Sequence, residues 1–287
     1  MIDLVLDVVL TLIAVPLAGG LLAGVDRKIT ARMQRRRGPP LLQPFYDVAK
    51  LLGKESLAVS RMTRLYVALF LFFNVFAVLL FFVGQDLLLC IFAFTLSCVF
   101  FAVAGYSSHS PYSFIGTERE LMQIMCYEPM MLIAAFGYYK VTGSFEVAHA
   151  FALDKPIIIK LPLIFLGLLY VLTIKLRKSP FDLSMSHHGH QEIVKGITTE
   201  LTGGTLAMVE IAHWFESIFA LAFVYLFFVY SAHASWAIAV VVCLFVYFLE
   251  IVVDNTFARF KWRQALLSSW LVVGAVSVTN FILLKLL

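Results

Sequence analysis

The chain has 287 residues, of which 61% are hydrophobic and only 14% charged, and its formal net charge is +4. An ordinary soluble domain is about one quarter charged, so a water-soluble core is excluded. The positive balance sits beside long apolar runs, where it is a topology signal, and nucleic acid is excluded as a partner.

Crossing a hydrocarbon core takes about 17–25 predominantly apolar residues. Eight stretches meet this, over residues 3–25, 65–83, 87–106, 119–139, 157–175, 205–230, 235–254 and 265–285. They predict an all-α polytopic membrane protein, a single transmembrane domain over 1–287 with long cytoplasmic loops and no internal repeat. The first run carries Asp3 and Asp7 and has its basic residues only afterwards, unlike the basic start of a cleavable signal peptide, so it is expected to stay as an anchor. Basic loops are retained on the cytoplasmic side. With both termini external, the inward loops hold Arg27, Lys28, Arg32, Arg35, Arg36, Arg37, Lys50, Lys54, Arg61, Arg64, Arg119, Lys175, Arg177, Lys178, Lys195, Arg259, Lys261 and Arg263. Only Lys140, Lys155, Lys160 and Lys285 are left outside.

Loop 26–64 follows the first run. It opens with a basic stretch, turns at Gly38-Pro39-Pro40, and continues with Leu41, Leu42, Phe45, Val48, Leu51 and Leu52 at helical spacing, with Asp47, Lys50 and Lys54 on the other face. This predicts an interfacial amphipathic helix, and the same surface is a candidate docking site for a soluble partner. Loop 176–204 is too long for a minimal connection, and long ordered loops usually carry function.

Ionisable side chains in a bilayer are expensive, and by default they mark an ion or proton route. Glu120 and Glu128 lie on the fourth run, eight residues apart, which is about 12 Å along a helix. Glu210, His213 and Glu216 follow at i, i+3 and i+6 on the sixth, a spacing that predicts all three on one side of the helix, and Glu250 and Asp254 form an i, i+4 pair on the seventh. In the orientation above, Glu120, Glu210, Glu250 and Asp254 share the cytoplasmic half, as a water-filled path entered from the cytoplasm would require. The bland alternative is a set of structural carboxylates bonded to neighbouring helices.

Cys90, Cys98, Cys126 and Cys243 all lie in apolar runs without a C-x-x-C spacing. They read as inert packing residues, and an iron–sulfur cluster would need four thiolates at workable spacing. His187, His188 and His190 lie too close together for a complete metal site and read as a partner-contacting or pH-sensitive stretch, so no metal site is expected. Neither a phosphate-binding glycine loop nor a G-x-S-x-G motif occurs, which argues against a self-contained enzyme.

Two loop segments carry a family pattern. Arg36, Arg37, Gly38 and Pro39 are followed by Gln43, Asp47 and Lys50 as Q-x-x-x-D-x-x-K, and then by Lys54 and Glu55. Later come PFDL at Pro180 to Leu183 and G-x-x-T-E-x-x-G at Gly196, Thr199, Glu200 and Gly203, with Tyr127 and Glu128 between the two loops. In these residues, and over nearly its whole length, the chain resembles the quinone-chamber membrane subunit of respiratory complex I, the NADH–quinone oxidoreductase. In quinone-reducing members PFDL is followed by an acidic stretch resembling PEAESEL, whereas here SMSHHGHQEIVKG stands there. The chain is thus more similar to the corresponding subunit of Ech-type energy-converting [NiFe] hydrogenases.

That resemblance implies a non-redox membrane subunit that anchors a cytoplasmic hydrogenase and links ferredoxin-dependent H2 evolution or uptake to H+ or Na+ translocation. It implies no cofactor on this chain, with the nickel–iron centre and iron–sulfur clusters held by partners. Those partners would be the hydrogenase large and small subunits, an iron–sulfur ferredoxin-like subunit and an antiporter-like membrane subunit, all in a bacterial or archaeal cell membrane. The interface residues would be Arg32, Arg35, Arg36, Arg37, Gly38, Pro39, Gln43, Asp47 and Lys50, with Asp182 and the three histidines in the second loop. The ion pathway would comprise Glu120, Glu128, Glu200, Glu210, His213, Glu216, Glu250 and Asp254. The alternatives are a quinone-chamber subunit of a complex-I-like dehydrogenase, a stand-alone secondary transporter, for which no inverted symmetry is visible, and a purely structural anchor.

Overall fold

The computed structural model describes residues 2–55, 60–181 and 196–286. Among these residues, nine α-helices account for the apolar runs and the interfacial segment: α1 (Ile2–Met33), α2 (Gln43–Leu52), α3 (Arg61–Phe82), α4 (Leu87–Tyr106), α5 (Pro111–Thr142), α6 (Pro162–Lys175), α7 (Gly203–Leu226), α8 (Ser235–Thr256) and α9 (Trp262–Leu286). Short 3-10 turns precede α6 and α7.

Each of the eight expected spans falls on a helix, but they are not equivalent. Six, namely α1, α3, α4, α7, α8 and α9, are long and apolar enough to cross a membrane. Helix α5 is 32 residues long but carries Glu118, Arg119, Glu120, Glu128 and Lys140, and α6 is apolar but only 14 residues. The count of eight is therefore approximate. Outward-facing Leu, Phe, Val and Trp side chains cover α1, α8 and α9, as lipid-facing helices require. The interior is formed by α4, α5, α6 and α7, where Tyr138, Phe94, Phe219, Phe223 and Met130 are fully buried.

Helix α1 runs past the expected end at residue 25 to Met33, so Asp26 to Arg32 are helical and project beyond the apolar section. The chain then turns back and α2 packs on α1 and α7. The close approach depends on Gly24, where a Cβ would lie 2.0 Å from the Leu41 carbonyl oxygen. Pro44 and Val48 form the buried face of α2, as the amphipathic spacing predicts. A second tight seat is Gly116 on α5, where a Cβ would meet the Ile197 backbone nitrogen at 2.3 Å. It holds the end of the long loop against α5 just before α7 begins.

Candidate functional site

The end of α6 and the residues just after it bring two ionic centres into the protein. Lys175 is 8% exposed and Lys178 also 8%, while the Arg177 side chain is 10% exposed. The sequence places these three cations in a cytoplasmic loop; the structure turns them inward, where α5, α7, α1 and α8 supply carboxylates. Arg177 has φ 53°, a left-handed conformation that costs a non-glycine residue roughly 1–2 kcal/mol. Its ion pairs hold it there.

In the first centre, Lys175 Nζ lies 3.2 Å from Glu216 Oε1, 3.3 Å from Cys98 Sγ and 3.4 Å from Tyr127 Oη. It also sits 4.0 Å from the Phe94 ring centroid, so the ammonium is capped by an aromatic face. Arg177 reaches Glu120 Oε1 at 3.0 Å and Glu216 Oε2 at 3.4 Å. His213 Nδ1 is 2.9 Å from Glu216 Oε2, and Arg177 Nη1 lies 2.6 Å from His213 Nδ1 and 2.9 Å from Nε2. Lys175 and Arg177 meet Glu120 and Glu216, two cations against two carboxylates. Such pairing is what permits burial, since removing one partner of a buried pair costs roughly 3–5 kcal/mol. Toward the other end of α7 the centre is sealed by Phe94 and Phe219, whose ring centroids are 4.5 Å apart.

In the second centre, Lys178 bridges Asp26 on α1 and Asp254 on α8. Asp254 Oδ1 also accepts the Ser179 N–H at 2.8 Å, and Asp26 accepts from Thr30. Glu250, one turn before Asp254, is buried, and its Oε2 has no hydrogen-bond partner among the described residues.

The cytoplasmic-loop surface is separate. Arg27 donates to Asp47 at 2.6 Å and Gln43 donates to the other Asp47 oxygen at 2.8 Å, so the family motif residues Gln43 and Asp47 tie α2 to α1. Burial pushes the Asp47 carboxyl up, but those hydrogen bonds and the charges of Arg27 and Lys50 outweigh it and hold it below the ordinary value. A cavity of about 260 Å³ opens beside this contact, lined by Arg27, Asp47, Lys50, Lys54, Glu210 and Trp214 among others.

The expected pathway residues thus divide among several places. Glu120, Glu216 and His213 meet at Arg177; Glu250 and Asp254 belong with Lys178; Glu210 lines the cavity under α2, so Glu210, His213 and Glu216, expected to share one side of α7, serve two different places, since i to i+6 still turns the helix by about 120°. Glu128 is half-buried on α5, next to the in-helix Pro129, and Glu200 is exposed. Arg32, Arg35, Arg36, Arg37 and Lys50 are exposed, with Gly38 and Pro39 half-buried, which leaves a basic face available at the end of α1. Asp182, His187, His188 and His190 lie outside the described residues. Sequence reasoning passed over Asp26, Lys175, Arg177 and Lys178 as site residues, and it read Cys98 as simple packing although its sulfur touches Lys175 and lies 3.7 Å from Glu216 Oε1. The one available signal was their spacing: KLRKS directly follows an apolar run.

The four cysteines are buried and free, and among the described residues no three His, Cys, Asp or Glu side chains converge on a metal position. These residues do not fit an iron–sulfur cluster.

Comparison with known proteins follows the same outline. The family described as NADH dehydrogenase matches residues 6–285. Hydrogenase-4 component C of Escherichia coli (strain K12) is 28% identical over 88% of this chain and 87% of its own length. Formate hydrogenlyase subunit 4 of the same organism is 30% identical over 66% of each chain. Among solved structures, a chain of the membrane-bound sulfane sulfur reductase, an archaeal respiratory membrane complex, shares the fold with a TM-score of 0.84, covering 97% of this chain and 99% of that one at 24% identity.

Proposed function

This chain belongs to the NADH dehydrogenase family, and from that premise we propose that it is the membrane-anchoring, ion-coupling subunit of an energy-converting [NiFe] hydrogenase. Support comes from its similarity along most of its length to hydrogenase-4 component C and from the altered segment after PFDL. The observation that carries the mechanism is the charge-closed centre at Lys175, Arg177, Glu120 and Glu216, buried at the root of the second long loop. A redox change in a partner seated on that loop and on the basic end of α1 alters the field at the centre. In a low-dielectric interior the resulting Coulomb change is large enough to move a proton on or off a carboxylate. The hydrogenase large and small subunits would sit on the loops, a ferredoxin-like subunit would feed electrons, and an antiporter-like subunit would take the ion onward. The nickel–iron centre and the clusters belong to those partners. Both termini face the outside of a bacterial or archaeal cell membrane in this reading.

The rival reading, a quinone-chamber subunit, draws on the cavity between α1, α2 and α7. At about 260 Å³ it falls below the roughly 300–1,000 Å³ of pockets that enclose drug-sized ligands, and charged side chains form much of its wall. The native complex, purified in mild detergent, decides between the two. Nickel, ferredoxin-dependent H2 evolution and no quinone are expected; flavin and quinone without nickel would move the chain to a respiratory dehydrogenase.

A further inference from the structure

Asn74, in the middle of α3, is a polar residue that neither ionic centre uses. It is fully buried, and neither its Oδ1 nor its Nδ2 has a hydrogen-bond partner among the described residues. An amide left in that condition inside a span costs the full desolvation of both groups, a cost that native proteins meet with a bound water or ion. The helix register says what lies beside it. Phe70, Asn74 and Phe81 share one buried face of α3, and Ala212, Glu216 and Phe223 share one of α7 with the same four- and seven-residue steps, which keep to one side of a helix. The Phe70 ring lies 5.8 Å from that of His213 and the Phe81 ring 6.1 Å from that of Phe223. Both pairs advance together, so α3 and α7 run in the same direction. Asn74 stands about 6 Å beyond Phe70 along α3, and Glu216 about 4.5 Å beyond His213 along α7, which sets the amide level with the Glu216 centre.

Helix α4 supplies a third wall. The buried Ser97 hydroxyl donates to the Phe70 carbonyl at 2.9 Å, and that carbonyl is the one an α-helix pairs with the Asn74 N–H. The Ser97 oxygen therefore lies beside Asn74 and keeps lone pairs with which to accept. The occupant must donate to Oδ1 and accept from Nδ2. A metal cation would satisfy the first and be repelled by the second, and a fully enclosed residue admits no large molecule. Water does both. We propose that Asn74 holds a buried water molecule between α3, α4 and α7, bonded to the amide, to Ser97 Oγ and to the Glu216 carboxylate. Asn74 is then a positioning residue, acting on Glu216 through that water. Lys175 and Arg177 are fixed in their ion pairs, whereas a water can turn in place as the charge around Glu216 changes.

The site builds on the Glu216 centre that the proposed function invokes, but infrared spectroscopy of the intact purified complex reads water and carboxylate bands rather than turnover, so its failure and that of the hydrogenase reading are told apart. The wild type minus Asn74→Leu difference spectrum should show an O–H stretching band that shifts in 18O-labelled water, together with a shift of the carboxylate band that Glu216→Gln removes. Asn74→Ser, which donates and accepts as the amide does, should keep both features. A difference spectrum with no band sensitive to 18O, or a serine variant that matches the leucine one, overturns the proposal. So does a wild-type band that changes when Na+ replaces K+ at constant ionic strength, which would make the occupant a cation. A map of the native complex fine enough to show ordered water needs no variant: it should place one within about 3 Å of both amide atoms, and an amide bonded instead to a backbone carbonyl overturns the site.

Discussion

Replacing Lys175 by methionine tests whether the first centre is closed by charge. The side chain keeps its approximate length, but the ammonium that meets Glu216 Oε1 at 3.2 Å is gone, and two carboxylates are left with Arg177 alone. Breaking a buried pair costs roughly 3–5 kcal/mol. Because Arg177 and His213 still hold Glu216 Oε2 at 3.4 and 2.9 Å, the lower end applies, about 3 kcal/mol. At roughly 2–4 °C per kcal/mol for a domain of comparable size, the unfolding midpoint should fall by about 6 °C or more. The double variant Lys175→Met with Glu216→Gln removes both charges and should recover most of that loss, since neutral replacement of a buried pair is often harmless. The four buried cysteines supply the assay: thiol labelling during a thermal ramp in detergent reports unfolding directly. Single and double variants whose effects add within about 0.5 kcal/mol would refute the coupling.

Three further outcomes follow from the same geometry. Arg177→Gly relieves the left-handed backbone but takes the guanidinium away from Glu120 and Glu216, so a net destabilisation of about 2 kcal/mol is expected; a more stable variant in the same thermal assay would contradict the ionic account. Gly24→Val drives a Cβ into the Leu41 carbonyl, and faster amide exchange across 43–52 should show α2 lifting off α1, whereas wild-type exchange would mean the contact is not required. Asp47 is held below its ordinary value, so its contribution is fully present above about pH 4 and is lost as the pH falls through the lowered value. Acidification should therefore loosen α2 in the wild type, and an equal acid step in Asp47→Asn would refute that assignment.

Much of the fold was legible because hydropathy over about twenty residues is a strong physical signal and α2 repeats its apolar side chains at helical spacing. The sites were less so. Lys175, Arg177 and Lys178 sit where a topology rule counts charges by proximity to a span, and nothing local shows that the connector folds inward. Their partners lie far along the chain: 41 residues separate Lys175 from Glu216 and 57 separate Arg177 from Glu120. Asp26 was hidden for a related reason, since the basic residues after it read as the end of α1 although the helix continues to Met33. The acids on α5, α7 and α8 were visible as residues out of place in apolar runs. Their division between two centres and a cavity depends on how α7 is rotated against α2 and α6, which sequence spacing alone does not fix.

The central claim is that the Glu216 centre couples redox turnover to ion movement. It is tested most directly in inverted membrane vesicles carrying the assembled complex, by measuring cation uptake per H2 evolved for the wild type and Glu216→Gln. H2 evolution is expected to persist while cation uptake per H2 falls about tenfold or more. An unchanged ratio in the variant would contradict the claim and leave the buried network a structural clamp.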